Sequence, residues 1–197
     1  MSATAVILGV MVAVSLWGLW RAPALIERSL FRPYWLLPRR QYSTLIASGF
    51  VHANLAHLAF NALTFWSFGA PLERVMGSAR FLALYFVALL VSDWGTWLTH
   101  RNDPNYASLG ASGAILGVLF ASIVYFPTES LYLMFLPIPV PAPLFAVGYL
   151  AYTWYAARNL GGRINHDAHF GGALAGLAFV ALTDPAAWQH ALALLRR

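Results

Sequence analysis

Residues 110–126 read GASGAILGVLFASIVYF, in which a serine set among glycines opens a continuous apolar run. The glycines beside Ser112 leave the backbone uncovered by side chains and let another helix approach closely. Gly113 and Gly117 are four residues apart, so a helix places them on one face. The segment therefore predicts a closely packed apolar helix that begins at Ser112.

A second stretch near the C-terminus repeats this spacing of small residues. They recur every four positions at Ala168, Gly172 and Gly176. This smooth helix face can press against the small-residue face that follows Ser112, which would bring His169 near that serine. Such spacing also occurs at helix interfaces that carry no chemistry.

The composition of the whole chain suits a lipid bilayer. Of 197 residues, 60% are hydrophobic and 10% are charged, whereas soluble domains average about 25% charged residues. Six apolar stretches approach the length of a membrane span, which is about 20 residues. They lie near residues 4–20, 44–68, 80–98, 112–126, 143–157 and 168–183. We therefore predict one all-α domain over residues 1–197, a polytopic membrane bundle of six transmembrane helices.

The charged residues favour a lipid partner over a nucleic acid. All 12 basic residues are arginines, the formal net charge is +5, and no basic helix face or aromatic-basic platform recurs. Five arginines follow the first apolar run, where they suit lipid headgroups. They are Arg21, Arg28, Arg32, Arg39 and Arg40. The absence of cysteine excludes disulfides and thiol chemistry.

Prolines and glycines mark the connections around the fifth span. Alternating prolines forbid a continuous helix before it, so that the span is expected to begin after them. These are Pro137, Pro139, Pro141 and Pro143. The run at 161–163 predicts a turn before the sixth span.

Polar residues inside the apolar stretches are informative, because an unpaired polar group is costly in lipid. The second stretch carries His52, His57 and Asn61, and the third carries Asp93. His57 and Asn61 are four residues apart, so a helix presents both on one face, where they can act on the same atom. They can also be simple hydrogen bonds between helices.

Ser112 and His169 are suited to act as a nucleophile and its base. A serine hydroxyl becomes nucleophilic when a base takes its proton, and neutral imidazole is the usual base. Both residues begin helices that would cross the membrane in the same direction, so their side chains are expected at similar depth. No acidic residue is obviously placed to orient the histidine, since Asp167 points to another helix face and Asp93 lies on the third span. A Ser-His dyad is therefore predicted.

A tetrahedral intermediate at this serine would need hydrogen-bond donors for its oxyanion. The side chains of His57 and Asn61 are candidates. The backbone N–H groups of Ala111 and Ser112 are further candidates, because a helix N-terminus favours negative charge.

Together these residues resemble the rhomboid family of intramembrane serine proteases. The resemblance rests on three motifs in family order and with family-like spacing, within a core that covers nearly the whole chain. They are Phe50-Val51-His52 followed by His57-Leu58 and Asn61, then Gly110-Ala111-Ser112-Gly113, and then Ala168-His169 followed by Gly172 and Gly176.

The resemblance implies a role for each motif. Ser112 would be the nucleophile, His169 the general base, and His57 with Asn61 the oxyanion-stabilising side chains. Gly110, Gly113, Gly117, Gly172 and Gly176 would allow close helix packing. Members of the family cut single-span membrane proteins without a cofactor or metal, so such substrates and the bilayer are the expected partners. A bacterial inner membrane is the expected location, and the oligomeric state stays open.

Other residues receive lesser roles. Glu73-Arg74 followed by Gly77 also resembles the family, and we interpret it as a structural brace. Asp93 is expected to form a helix-packing or lateral-gate hydrogen bond. Ordinary solvated side chains are expected for three further histidines, two in loops and one in the C-terminal tail: His100, His166 and His190.

The sequence departs from the family pattern in three ways. Leu116 stands where many members have an aromatic residue that packs against the catalytic imidazole. Tyr42-Ser43-Thr44 stands where many have a Trp-Arg pair in the first loop. A cytoplasmic N-terminus, usual in the family, would also place eight arginines outside, against the positive-inside rule.

Two other functions are considered. A rhomboid-like pseudoprotease would bind membrane helices without cleaving them, but Ser112 and His169 are both present. A transporter or metal site would use His52, His57 and His169. Neither a His-Glu-x-x-His pattern nor a carboxylate near these histidines supports metal catalysis.

Overall fold

The computed structural model describes residues 2–133, 136–160 and 164–196. Their α-helices form an all-α membrane bundle, as predicted. The helices are α1 Ala3–Trp20, α2 Pro23–Ser29, α3 Thr44–Ala47, α4 Leu55–Met76, α5 Ser78–His100, α6 Ser112–Tyr125, α7 Ala142–Asn159, α8 His166–Thr183 and α9 Pro185–Leu195. The turn predicted at 161–163 lies outside the described residues.

The proline-rich segment forms a hairpin between α6 and α7. Its strands are β1 Ser130–Leu133 and β2 Leu136–Pro141, which pair antiparallel. A two-stranded sheet has only edge strands, where a proline that lacks an N–H is tolerated. The predicted interruption of the helix is confirmed, and the next helix begins directly after it, at Ala142.

Two of the described helices, α1 and α5, are each long and apolar enough to cross a membrane. A third span results if α8 and α9, which meet at a bend of 107°, are counted together. The 14 residues of α6 are apolar but short. Six spans therefore stay a prediction, while a bundle with several membrane-spanning helices is established.

The predicted second span, residues 44–68, is wrong in its boundaries. The chain there forms α3, a short 3-10 helix at Ser48–Phe50 and an extended stretch, and α4 begins only at Leu55. The Asn54 side chain caps α4 by accepting a hydrogen bond from the backbone N–H of His57 at 2.9 Å. Hydropathy missed this break because His52 and Asn54 are only two polar residues within a longer, mostly apolar run.

Helix α6 is the centre of the bundle. Every residue from Gly113 to Val124 is buried, and α6 packs against α4, α5 and α8. Because protein surrounds this helix, its polar N-terminal end can meet the bundle interior rather than lipid.

The closest helix contact joins α6 to α8 through glycines. Gly172 lies against the backbone of Gly113, and Gly176 lies against the backbone of Gly117. The contacting residues are four positions further along in both helices, so the two helices run parallel. A side chain at either α8 glycine would overlap the α6 backbone, which fixes the spacing of the two helices.

Glu73 forms the expected brace. Its carboxylate accepts hydrogen bonds from the backbone N–H groups of Ala3 and Thr4, at 2.6 and 2.8 Å, and from two hydroxyls. The hydroxyls belong to Thr4 at 2.7 Å and Ser78 at 2.6 Å. One buried carboxylate thus joins α1, α4 and α5 and satisfies N–H groups at the start of α1.

Replacing Gly172 by alanine should destabilise the protein. The new methyl group would meet the Gly113 carbonyl, and overpacking of this kind costs about 1–3 kcal/mol. Thermal unfolding in detergent, followed by circular dichroism, measures the effect. Gly148→Ala is the matched control, since no described atom lies within 4 Å of the methyl group it adds to α7. Equal melting temperatures for the two variants would contradict the proposed packing.

Candidate active site

Ser112 and His169 meet at the end of the α6–α8 contact. The imidazole Nε2 of His169 lies 2.8 Å from the Ser112 Oγ. Ser112 is the first residue of α6 and His169 lies in the first turn of α8. Because the helices are parallel and in close contact, their N-terminal ends bring these side chains into hydrogen-bond distance.

The start of α8 is held by Asn165. Its Oδ1 accepts a hydrogen bond from the Ala168 N–H at 3.0 Å, and its Nδ2 donates to the Thr96 hydroxyl at 2.9 Å. This cap fixes the first turn of α8 against α5, and with it the position of His169.

The loop before Ser112 is held by two backbone connections. Phe31 and Ser108 exchange a pair of backbone hydrogen bonds, both of 2.9 Å, and the Gly110 N–H donates to the Ser48 carbonyl at 2.9 Å. Gly110 has φ +113°, a backbone conformation that residues with a Cβ atom rarely adopt. The first loop and the residues before α4 therefore set the path of the chain into Ser112.

The first loop is anchored without the Trp-Arg pair that many family members have. Trp35 donates its indole N–H to the Pro104 carbonyl at 3.3 Å. The Arg39 guanidinium lies over the Trp35 ring, 3.5 Å from its centroid. A Trp-Arg contact is thus present, between residues earlier in the loop than 42–44.

His57 and Asn61 both lie on α4, and the His57 ring lies beside the loop that leads to Ser112. The His57 ring lies so close to Gly110 that a methyl group there would fall 2.8 Å from Nε2. Asn61 is buried and donates one Nδ2 hydrogen to the His57 carbonyl at 2.9 Å. Its amide carries a second hydrogen that remains available as a donor.

Within the described part of the chain, no side chain caps the N-terminus of α6. Side chains do cap α1, α4, α8 and α9. The N–H groups in the first turn of α6 have no carbonyl partner within the helix. They start at Ser112 and carry partial positive charge, which suits an oxyanion at this position.

Tyr149 of α7 completes the surroundings of His169. Its Oη lies 3.0 Å from the second imidazole nitrogen, Nδ1. Sequence reasoning missed this residue because it considered only acidic groups as partners of the histidine. The sequence contained one indication. Leu116 stands where many family members have an aromatic residue, so that residue does not fill the space beside the imidazole.

Comparison with known proteins identifies the family. A family model described as the rhomboid domain matches residues 39–185. This chain belongs to the rhomboid family. It is 32% identical over 176 residues to the human "Presenilin-associated rhomboid-like protein, mitochondrial", a match covering 87% of this chain and 46% of that protein.

Two further relatives come from yeast and a bacterium. "Rhomboid protein 1, mitochondrial" of Saccharomyces cerevisiae is 32% identical over 180 residues, 88% of this chain and 51% of that protein. "Rhomboid protease GluP" of Bacillus subtilis is 40% identical over 86 residues, 44% of this chain and 16% of that protein. This rhomboid thus spans about half the length of its mitochondrial relatives.

His52 of this rhomboid lies outside the helix in which it was predicted. It is buried in the extended stretch before α4, and its Nδ1 lies 2.9 Å from the Ser15 hydroxyl. Ser15 donates its single proton to the Phe50 carbonyl at 3.1 Å, so His52 Nδ1–H is the donor to Ser15. The His52 ring also contacts His57, with centroids 4.9 Å apart, and thereby supports that side chain from α1.

Asp93 lines a small polar cavity of about 20 Å³ that also borders Ser112. This volume is enough for about one water molecule. The residue is 7% exposed, and its Oδ2 has no hydrogen-bond partner among the described residues. The predicted helix-packing hydrogen bond is therefore not made by this oxygen.

Ordinary solvated side chains were predicted for His100, His166 and His190, and this prediction is wrong for His100 and His166. His100 ends α5, lies 3.1 Å from the Asp167 carboxylate and stacks on Tyr106 at 3.7 Å between centroids. His166 begins α8 and is 8% exposed. Neighbouring helix ends bury His166 and partly cover His100, whose side chain is 26% exposed, and local sequence indicates neither contact. His190 is exposed on α9.

The described residues contain no cluster of three or more histidine, cysteine or acidic side chains that could hold a metal ion. The His52 and His57 rings are neighbours; His52 Nδ1 lies beside the Ser15 hydroxyl and the His57 ring lies beside Gly110.

Proposed function

We propose that this rhomboid is an intramembrane serine endopeptidase in which Ser112 is the nucleophile and His169 the general base. The 2.8 Å contact between Oγ and Nε2 carries the proposal, because a base within hydrogen-bond distance activates a serine hydroxyl. The family and the relative named a protease support the same activity.

The reaction would follow the usual course of acyl transfer. As His169 Nε2 takes the hydroxyl proton, Oγ attacks the carbon of the scissile carbonyl group, and the carbonyl oxygen becomes an oxyanion. The imidazolium then gives the proton to the leaving amine nitrogen, and the peptide bond breaks to leave an acyl-enzyme. Water, deprotonated by the same imidazole, hydrolyses the ester and restores Ser112.

The oxyanion would be bound by donors from α4 and from the start of α6. The His57 ring, which lies beside Gly110, and the second amide hydrogen of Asn61 are the candidates on α4. The N–H groups of Ala111 and Ser112 are the candidates at the uncapped start of α6. Donors fixed by the fold before reaction need no reorganisation in the transition state, which makes them effective.

The expected substrates are single-span membrane proteins cut near one membrane face. Support comes from the position of Ser112 at one end of the central helix, in a protein that exposes many large apolar side chains. We further propose a bacterial inner membrane with a cytoplasmic N-terminus. Two relatives are named mitochondrial, so a mitochondrial membrane is the competing location.

Cleavage of a model single-span substrate by the purified protein tests the activity. Ser112→Ala and His169→Ala should each reduce cleavage by about 10³-fold or more, as losses of a nucleophile and base do. Ser122→Ala, on the same helix, and His190→Ala, exposed on α9, are matched controls expected to cleave normally. Full cleavage by Ser112→Ala would exclude the serine mechanism, and no cleavage by the unaltered protein with any single-span substrate would favour the pseudoprotease.

The oxyanion assignment predicts a defect in Asn61→Ala. Loss of one oxyanion donor typically lowers kcat by about 10²–10³-fold. Asn159→Ala is the matched control, because Asn159 makes the same hydrogen bond to the carbonyl four residues earlier, also at 2.9 Å. Steady-state kinetics measure both variants, and equal kcat values would remove Asn61 from the oxyanion site.

A further inference from the structure

We propose that Tyr149 is the positioning residue of the catalytic base, accepting a hydrogen bond from His169 Nδ1–H and thereby fixing both the tautomer and the orientation of the imidazole. The inference rests on the proposed function, because it assigns a partner to the histidine of that dyad. It replaces the predicted dyad by a hydrogen-bonded series of Ser112, His169 and Tyr149.

Both nitrogens of the His169 ring have a hydroxyl partner. Nε2 lies 2.8 Å from the Ser112 Oγ and Nδ1 lies 3.0 Å from the Tyr149 Oη. The two contacts leave from opposite sides of one ring, so together they restrain its rotation. The tyrosine ring is tilted only 25° from the imidazole, with centroids 6.5 Å apart.

The direction of these hydrogen bonds follows from proton counting. A neutral imidazole carries one N–H, and Nε2 must be the unprotonated nitrogen if it is to accept the proton of Ser112. Nδ1 then carries the hydrogen, and the phenol oxygen of Tyr149 accepts it. The opposite tautomer would place an N–H toward the serine and could not act as base.

Among the described residues, neither Asp167 nor Asp93 forms a hydrogen bond with His169. Asp167 lies two residues earlier, and its carboxylate oxygens contact Thr99 and His100 at 3.2 and 3.1 Å. Asp93 lines the small cavity that borders Ser112, and its Oδ2 has no hydrogen-bond partner among the described residues. Among the described residues, the recorded hydrogen-bond partner of Nδ1 is the Tyr149 hydroxyl.

Aromatic packing holds Tyr149 in place. Phe145 stacks on it from one turn earlier on α7, with centroids 5.3 Å apart and planes at 21°. Phe120 of α6, which is fully buried, contacts the tyrosine ring at 6.0 Å between centroids. Aromatic pairs of this geometry add to stability beyond their buried area. Tyr149 thus supplies from α7 the aromatic ring beside His169 that Leu116 does not provide.

Tyr149→Phe is the decisive variant, because it removes one oxygen and retains the ring that packs on Phe145 and Phe120. Loss of one neutral hydrogen bond to the base should lower kcat about 5- to 10-fold, with KM and melting temperature unchanged. Tyr152→Phe, on the exposed side of the same helix, is the matched control and should match the unaltered protein. Kinetics are measured on the monodisperse folded fraction, so partial misfolding does not imitate the result. A kcat within twofold of the unaltered protein, at normal stability, would overturn the proposal.

Nitrogen-15 NMR of histidine-labelled protein tests the same inference without using activity. The His169 resonances, identified by their loss in His169→Ala, should show a protonated Nδ1 in the unaltered protein and a changed Nδ1 shift in Tyr149→Phe but not in Tyr152→Phe. A protonated Nε2, or no change in Tyr149→Phe, would overturn the role of Tyr149. If the unaltered protein cleaves nothing and yet shows the expected shifts, the proposed function fails while the Tyr149 contact stands.

Discussion

The backbone contact between α6 and α8 is the constraint on which the rest of the structure depends. Glycines at 113 and 117 meet glycines at 172 and 176 with no side chain between the two helices. Such an approach gains dispersion contact along the whole interface, which is the main source of helix association in lipid. It also sets the distance between the helix N-termini, where Ser112 and His169 lie 2.8 Å apart at Oγ and Nε2.

The surrounding elements convert this contact into a site with defined chemistry. Asn54 and Asn165 cap α4 and α8, whereas the start of α6 keeps its N–H groups free of side-chain caps in the described structure. Phe31 and Ser48 hold the loop that enters α6. The geometry of the candidate site therefore depends on these caps and on the first loop, although Ser112 and His169 come from two helices.

Much of the fold follows from sequence because periodicity and composition report it directly. The apolar stretches predict a helical membrane bundle, and residues spaced by four predict which faces meet. The break at residues 51–54 does not follow, since α4 starts where the Asn54 side chain accepts a hydrogen bond from the His57 N–H, within a run that hydropathy treats as continuous. The burial of His166 and the contact of His100 with Asp167 depend on which helix ends adjoin these residues, and this is a tertiary property.

In the candidate site, too, some residues follow from sequence and others only from tertiary packing. Ser112, His169, His57 and Asn61 belong to local motifs, so sequence alone singles them out. Tyr149 lies on a helix with no motif of its own, and its contact with His169 arises only when α7 packs on α8. Asp93 was visible as a charge in an apolar span, but its place beside the Ser112 cavity required the packing of α5 against α6.

We propose that close packing of two parallel helices makes Ser112 a nucleophile by placing it against His169. The most direct measurement is the rate at which a fluorophosphonate reacts with the folded protein, with the modified residue located by peptide mass spectrometry. We expect a single adduct on Ser112, formed at least about 10²-fold more slowly in His169→Ala. An adduct on a different serine, or equally fast reaction of Ser112 without the histidine, would contradict it.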